Sequence, residues 1–274
     1  MRAGRDLTTA TFGSQTSSRR PGVTRGKTLA EKRITIKATR FDPEKDEKPH
    51  LQSYDIPFAD ESMVVLDALN HIKSYVDGSL SYRWSCRMGI CGSCGMMVNG
   101  TPKLTCNAFL RDYWPRPVIV EPLNNFPVIR DLVIDMDGFM HKLKSVKPWI
   151  IRKQEIPLGA GAHRQVPAEI DEFRQFSECI NCMLCYAACP VYGLNDRFLG
   201  PAAIALARRY NLDSRDQGLK ERLPMLADAE GIWECSFVGE CSVVCPKGVD
   251  PAKAIQQTKL DTTMRFVLPY GNRE

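Results

Sequence analysis

Eleven cysteines fall into three short stretches of a 274-residue chain. Their spacing limits the chemistry they can do. The first group is Cys86, Cys91, Cys94 and Cys106, within RWSCRMGICGSCGMMVNGTPKLTC. The order C-x4-C-x2-C followed by a distal cysteine is the plant-type [2Fe–2S] arrangement. Three ligands on one loop can wrap two irons while the fourth returns from a hairpin. Gly89, Gly92 and Gly95 suit a loop whose amides must reach bridging sulfides. Arg83 and Arg87 either offset cluster charge or are ordinary solvated loop arginines. Zinc is the alternative, but zinc knuckles are built from paired C-x2-C units, and this spacing is not one.

The second group, Cys179, Cys182, Cys185 and Cys189-Pro190, is a complete C-x2-C-x2-C-x3-C-P run. In two-cluster ferredoxins the fourth cysteine of such a run ligates the other cluster. By that rule Cys179, Cys182 and Cys185 take Cys245 of the third group as fourth ligand and hold a [4Fe–4S] cube. Cys189 crosses over to join Cys235 and Cys241. The third stretch, CSFVGECSVVCP, carries Val238 where a fourth thiolate would stand. An apolar side chain cannot ligate iron, so the expected occupant is a [3Fe–4S] cluster, with Val238 determining its type. All eleven cysteines are then used, whereas a decayed site would leave an orphan thiol. The four histidines, His50, His71, His141 and His163, lie outside these stretches, which excludes a Rieske centre.

The elements that must position these cysteines differ between the two halves. ITIKATRF alternates as a strand, LQSYDIPF reads as a second strand, and RPVIVEPL as another. SMVVLDALNHIKSYV sets Val64, Leu66, Leu69, Ile72 and Val76 at helical spacing. GMMVNGTPKLTC is a hairpin turning on Asn99-Gly100. Residues 34–137 therefore read as a small [2Fe–2S] ferredoxin-like domain, and 138–167 as a connecting segment and linker. In 168–274, DEFRQFSECINCMLCYAACP, GPAAIALARRYNL and DPAKAIQQTKL read as helices or helix starts, with proline in a first turn.

Composition removes other functions. A net charge of +5 is concentrated in residues 1–33, so nothing argues for nucleic-acid binding. The longest apolar run is far short of the roughly 20 residues that span a bilayer. There is no Gly-rich dinucleotide fingerprint and no Cys–His nucleophile pair, and clustered thiols of odd number point to metal in a reducing compartment. Residues 1–33 read as a disordered basic tail or a start-site artefact, with a targeting segment as the alternative.

SYRWSCRMGICGSCGMMVNG, INCMLCYAACP, GPAAIALARRYNLDSRD and CPKGVDPAKAIQQTK together resemble the iron–sulfur subunit of fumarate reductase and succinate dehydrogenase, from about Arg33 to about Leu268. The fold class is then α+β: an N-terminal β-grasp plant-type ferredoxin domain followed by an all-helical two-cluster bacterial ferredoxin-like domain. The resemblance implies an electron-transfer subunit between the FAD of a flavoprotein subunit and a quinone held by one or more membrane anchor subunits. Dicarboxylate chemistry would belong to the flavoprotein, so no catalytic residue is expected here. Ubiquinone-linked members commonly carry a tryptophan pair after the first Cys-Pro and a histidine after the first cysteine of the last stretch. Here those places hold Gly193-Leu194 and Ser236, more like the menaquinol-linked fumarate reductases. By the same analogy Lys259 and Gln256 lie near the quinone, against the alternative of a solvated helix face. The implied location is the cytoplasmic face of a bacterial inner membrane, or else the matrix face of the mitochondrial inner membrane. A free ferredoxin-like carrier and a structural zinc or iron–sulfur protein are the competing readings.

Overall fold

The computed structural model describes residues 32–58 and 60–267. The basic tail, apart from Lys32 and Arg33, lies outside the described residues, and Arg33 already pairs in the first strand.

In β1 (Arg33–Arg40), Ile34, Ile36 and Ala38 point into the core while the residues between them face outward. It pairs antiparallel with β2 (His50–Pro57), from Arg33 opposite Pro57 to Arg40 opposite His50. The helix α1 (Val65–His71) covers this sheet with Val65, Leu66, Ala68 and Leu69. β3 (Gly95–Val98) and β4 (Thr101–Leu104) form the expected hairpin, with φ of 47° at Asn99 and 78° at Gly100. β5 (Val118–Glu121) runs parallel to β1 and antiparallel to β3, closing a five-stranded sheet in the order β2-β1-β5-β3-β4. The Asn99 side-chain oxygen accepts from the Ile119 amide at 2.7 Å, which ties the hairpin turn to β5. β6 (Val128–Arg130) and β7 (Val133–Ile134) add a small separate ribbon.

One helical expectation needs correction. After His71 the chain widens into a π-helical turn over Ile72–Val76, and Val76 is left 57% exposed. The wider turn carries it off the buried stripe, which instead runs through Val65, Leu66, Ala68, Leu69 and Ile72.

The segment read as a connector contains a helix, α2 (Asp137–Ser145), which buries Phe139 and Leu143. Residues 153–164 beyond it are exposed. The second half is helical: α3 (Pro167–Ser177), α4 (Leu184–Ala187), α5 (Pro190–Leu194), α6 (Pro201–Asn211), α7 (Leu219–Leu226), α8 (Glu240–Val243) and α9 (Pro251–Val267). Helix α6 is central, because Ala202, Ala203, Ala205 and Ala207 are small enough to let α3 and α9 approach closely. Arg222 on α7 is fully buried. It pairs with Asp216 at 2.7 Å and donates to the carbonyls of Val146, Lys147 and Trp149. This guanidinium fastens the chain after α2 onto the helical half.

The two halves share a core. One buried cluster contains Leu66, Cys94 and Met97 from the first half together with Tyr186 and Ile204 from the second. Among the described residues no helix is long and apolar enough to cross a membrane.

Candidate metal centres

The first cysteine loop leaves the sheet after Ser81, whose amide is held by Asp131 at 2.8 Å. Asp131 also accepts from Arg40 at 3.0 Å, so the loop's root is fixed to β1. Arg87, Gly89 and Gly92 take φ of 61°, 67° and 75°, curling the backbone around the Cys86 sulfur. That sulfur accepts from the amides of Met88 at 3.4 Å, Ile90 at 3.4 Å and Cys91 at 3.3 Å. These N–H groups, Met88 first, hold the Cys86 thiol down at about 6, so the loop favours a thiolate there. Cys94 and Cys106 are buried on the hairpin side. Burial, then the neighbouring Cys94, pushes Cys106 up to about 11, so its thiolate calls for nearby positive charge. Arg83 donates to the Ile134 carbonyl at 2.8 Å, and Arg87 stacks over the Trp84 ring at 4.7 Å.

Gly95 has an ordinary φ, and its requirement is space. A Cβ there would stand 3.1 Å from the Cys182 carbonyl oxygen. Gly92 is tighter, since a Cβ would meet Cys182 Cα and Cβ at 2.9 Å. The first cysteine loop therefore rests directly on the second.

Cys179, Cys182, Cys185 and Cys245 line one cavity, completed by apolar neighbours such as Leu184, Ala202 and Val249. Burial pushes Cys182 up to about 12 and Cys185 well above its ordinary value. Cys189, Cys235 and Cys241 line a second cavity, whose wall includes Phe237, Val238 and Ile255. Here burial pushes Cys241 up to about 12. The Cys189 sulfur accepts from the Tyr192 amide at 3.4 Å, and the Cys235 sulfur from Phe237 at 3.4 Å. Thiols this strongly desolvated suit a bound cationic metal core, which would offset the thiolate charge that the apolar walls disfavour.

The two helical-half loops share one backbone. Cys179 is followed by left-handed residues at Asn181 (φ 55°) and Met183 (φ 65°), which flank Cys182. Cys235 is followed by Phe237 (φ 61°) and Gly239 (φ 90°), which flank Val238. Each loop then enters a four-residue helix, α4 or α8, bearing Cys185 or Cys241. Gly239 and Asn181 are residue types that favour this conformation, but Met183 and Phe237 carry no mark of it in the sequence. Gln256 and Lys259 on α9 both reach Cys235. The Gln256 amide nitrogen lies 4.0 Å from its sulfur, and the Lys259 ammonium donates to its carbonyl at 2.7 Å.

Residues 35–141 match a 2Fe-2S iron-sulfur cluster binding domain, and residues 175–249 a 4Fe-4S dicluster domain. The chain is 58% identical over 243 residues to the fumarate reductase iron-sulfur subunit of Mycobacterium tuberculosis, covering 87% of this chain and 98% of that one. It is 38% identical over 230 residues to the succinate dehydrogenase iron-sulfur subunit of Coxiella burnetii, covering 83% and 96%. Among solved structures, a chain of the apo Mycobacterium smegmatis Sdh1 complex superposes with a TM-score of 0.76 at 26% identity. That match covers 88% of this chain and all of the other.

Proposed function

Because this chain belongs to the family of fumarate reductase and succinate dehydrogenase iron–sulfur subunits, we propose that it relays single electrons through three clusters between a flavoprotein subunit and a membrane quinone. Cys86, Cys91, Cys94 and Cys106 would hold [2Fe–2S], and Cys179, Cys182, Cys185 and Cys245 would hold [4Fe–4S]. Cys189, Cys235 and Cys241 would hold [3Fe–4S]. Clusters so held supply one-electron transfer, which a two-electron flavin and a two-electron quinone both need from whatever joins them.

The observation that carries this reading is the crossed sharing of thiols. Cys245 lies on the cavity of Cys179, Cys182 and Cys185, while Cys189 lies on that of Cys235 and Cys241. The residues have separate tasks. The amides around Cys86 stabilise a thiolate in an exposed loop, and the apolar walls around Cys185 keep water from the second site. The seat of Gly92 against Cys182 brings the first site's loop onto the second's. In this reading the [2Fe–2S] domain spans residues 34–137, residues 138–167 connect the halves, and 168–274 form the two-cluster domain.

The partners follow from the family: an FAD-bearing flavoprotein and one or more membrane anchor subunits, on the cytoplasmic face of a bacterial inner membrane. Fumarate reduction with menaquinol is preferred to succinate oxidation with ubiquinone. Support comes from the higher identity to a fumarate reductase subunit and from Gly193-Leu194 and Ser236. Lys259 and Gln256, beside Cys235, are the quinone-side residues of this reading. Turnover of the purified complex with menaquinol and ubiquinone analogues tests the direction. Efficient ubiquinone reduction with menaquinol left unoxidised would reverse it.

A further inference from the structure

We propose that Asn125 is a positioning residue that sets the geometry between the second and third sites. The proposal rests on the ligand assignment above. Cys185 and Cys189 face different cavities yet are separated by only three residues, along α4 and the turn after it. A helix of four residues is far below the roughly 12 needed to hold its own shape in water. The path from Cys185 to Cys189 is therefore determined by what grips its end.

That grip comes from the other half of the protein. Asn125, in the loop between β5 and β6, points its side-chain nitrogen at three carbonyls: Tyr186 at 2.9 Å, Ala187 at 3.3 Å and Cys189 at 3.2 Å. They lie at the end of α4 and the start of α5. There the Tyr186 and Cys189 carbonyls also accept the amides of Cys189 and Gly193 at 3.1 Å, so Asn125 adds a second donor that ties the two short helices together. An amide has two N–H groups, so three acceptors share them, and the whole turn is drawn onto one point. The opposite side is closed by α5: a Cβ added at Gly193 would lie 2.7 Å from the Asn125 side-chain oxygen. Asn125 has a φ of 67°, a conformation asparagine tolerates better than most residues. The next residue, Phe126, packs its ring against Tyr186 and Tyr192, at centroid distances of 6.3 and 6.0 Å. The dipeptide thus holds the backbone on both sides of Cys189.

Asn125→Asp keeps shape and backbone tolerance but replaces the donors with acceptors facing three carbonyls. In the purified complex this variant is expected to retain its iron and acid-labile sulfide. Its second and third centres should show a weakened magnetic interaction in the reduced EPR spectrum, and the third centre a lowered midpoint potential. A simple packing contact would alter stability and leave the magnetic interaction as it was. Because the new carboxylate lowers the potential by its charge alone, the potential is read in the neutral Asn125→Gly variant. Should the aspartate variant assemble poorly, Asn125→Gly removes the donors while accepting the same φ, and Gly193→Ala pushes the amide off its carbonyls. Each should weaken the interaction, and Gly193→Ala should add nothing in the Asn125→Gly background. Unchanged interaction and potential in cluster-replete variants would overturn the proposal. Absence of either centre from the unaltered complex would overturn the ligand assignment beneath it.

Discussion

Val238 stands in its loop where Cys182 stands in its own, three residues after the leading cysteine and between two left-handed residues. The backbone is already shaped for a ligand at residue 238, and only the side chain withholds it. Val238→Cys is therefore expected to accept a fourth iron at that site. Val238 is 56% exposed, so the change should cost little stability. The added thiolate should lower the centre's potential. Loss of the oxidised-state [3Fe–4S] EPR signal would report the conversion, and an unchanged signal would count against the loop equivalence.

Gly92 and Gly89 separate two kinds of loop constraint. Both have positive φ, but a Cβ at Gly89 meets nothing within 4 Å, while one at Gly92 meets Cys182 at 2.9 Å. Gly89→Ala should cost about 1–2 kcal/mol of local strain. Gly92→Ala should cost more, because the first loop must lift from the second. Thermal unfolding of the two variants orders the costs, and rapid-freeze reduction should show slower electron arrival at the [4Fe–4S] centre in Gly92→Ala alone. Equal behaviour of the two would mean that the contact between the loops is not limiting.

Arg222 and Asp216 are both buried, at 0% and 1% side-chain exposure. Removing the guanidinium in Arg222→Met leaves Asp216 charged and uncompensated, at a cost of about 3–5 kcal/mol. It also frees the carbonyls after α2. Complex yield and melting temperature should both fall, and adding Asp216→Leu should recover part of the loss. Wild-type stability in the single variant would show that the pair is not what fastens residues 146–151.

Lys259 reaches the Cys235 carbonyl from α9. If this face adjoins the quinone, Lys259→Ala should raise the KM for quinol several-fold with cluster content unchanged, and Lys259→Arg should restore part of it. Unaltered quinone kinetics in Lys259→Ala would return the residue to an ordinary helix face.

Features held by short-range spacing were legible in the sequence. The cysteine groups, the Asn99-Gly100 turn and the proline-led helices α6 and α9 all depend on neighbours along the chain. Helix α2 begins on Asp137-Gly138, a weak start signal that hides the helical spacing of Phe139 and Leu143, and α7 carries Pro224 inside it, so neither announces itself. Val76 misleads because helical spacing does not reveal a π turn. The contacts of Gly92 with Cys182, Asn125 with Cys189, and Arg222 with Trp149 join residues more than 60 positions apart. No local pattern encodes them, and a charged residue such as Arg222 reads as solvated until its burial is seen.

EPR of the purified complex, oxidised and then reduced with succinate, tests the three-cluster relay most directly. The expected result is a [3Fe–4S] signal in the oxidised state, its loss on reduction with the appearance of a [2Fe–2S] signal, and about nine irons per chain. An oxidised complex with no such signal, or one carrying zinc in place of iron, would contradict it.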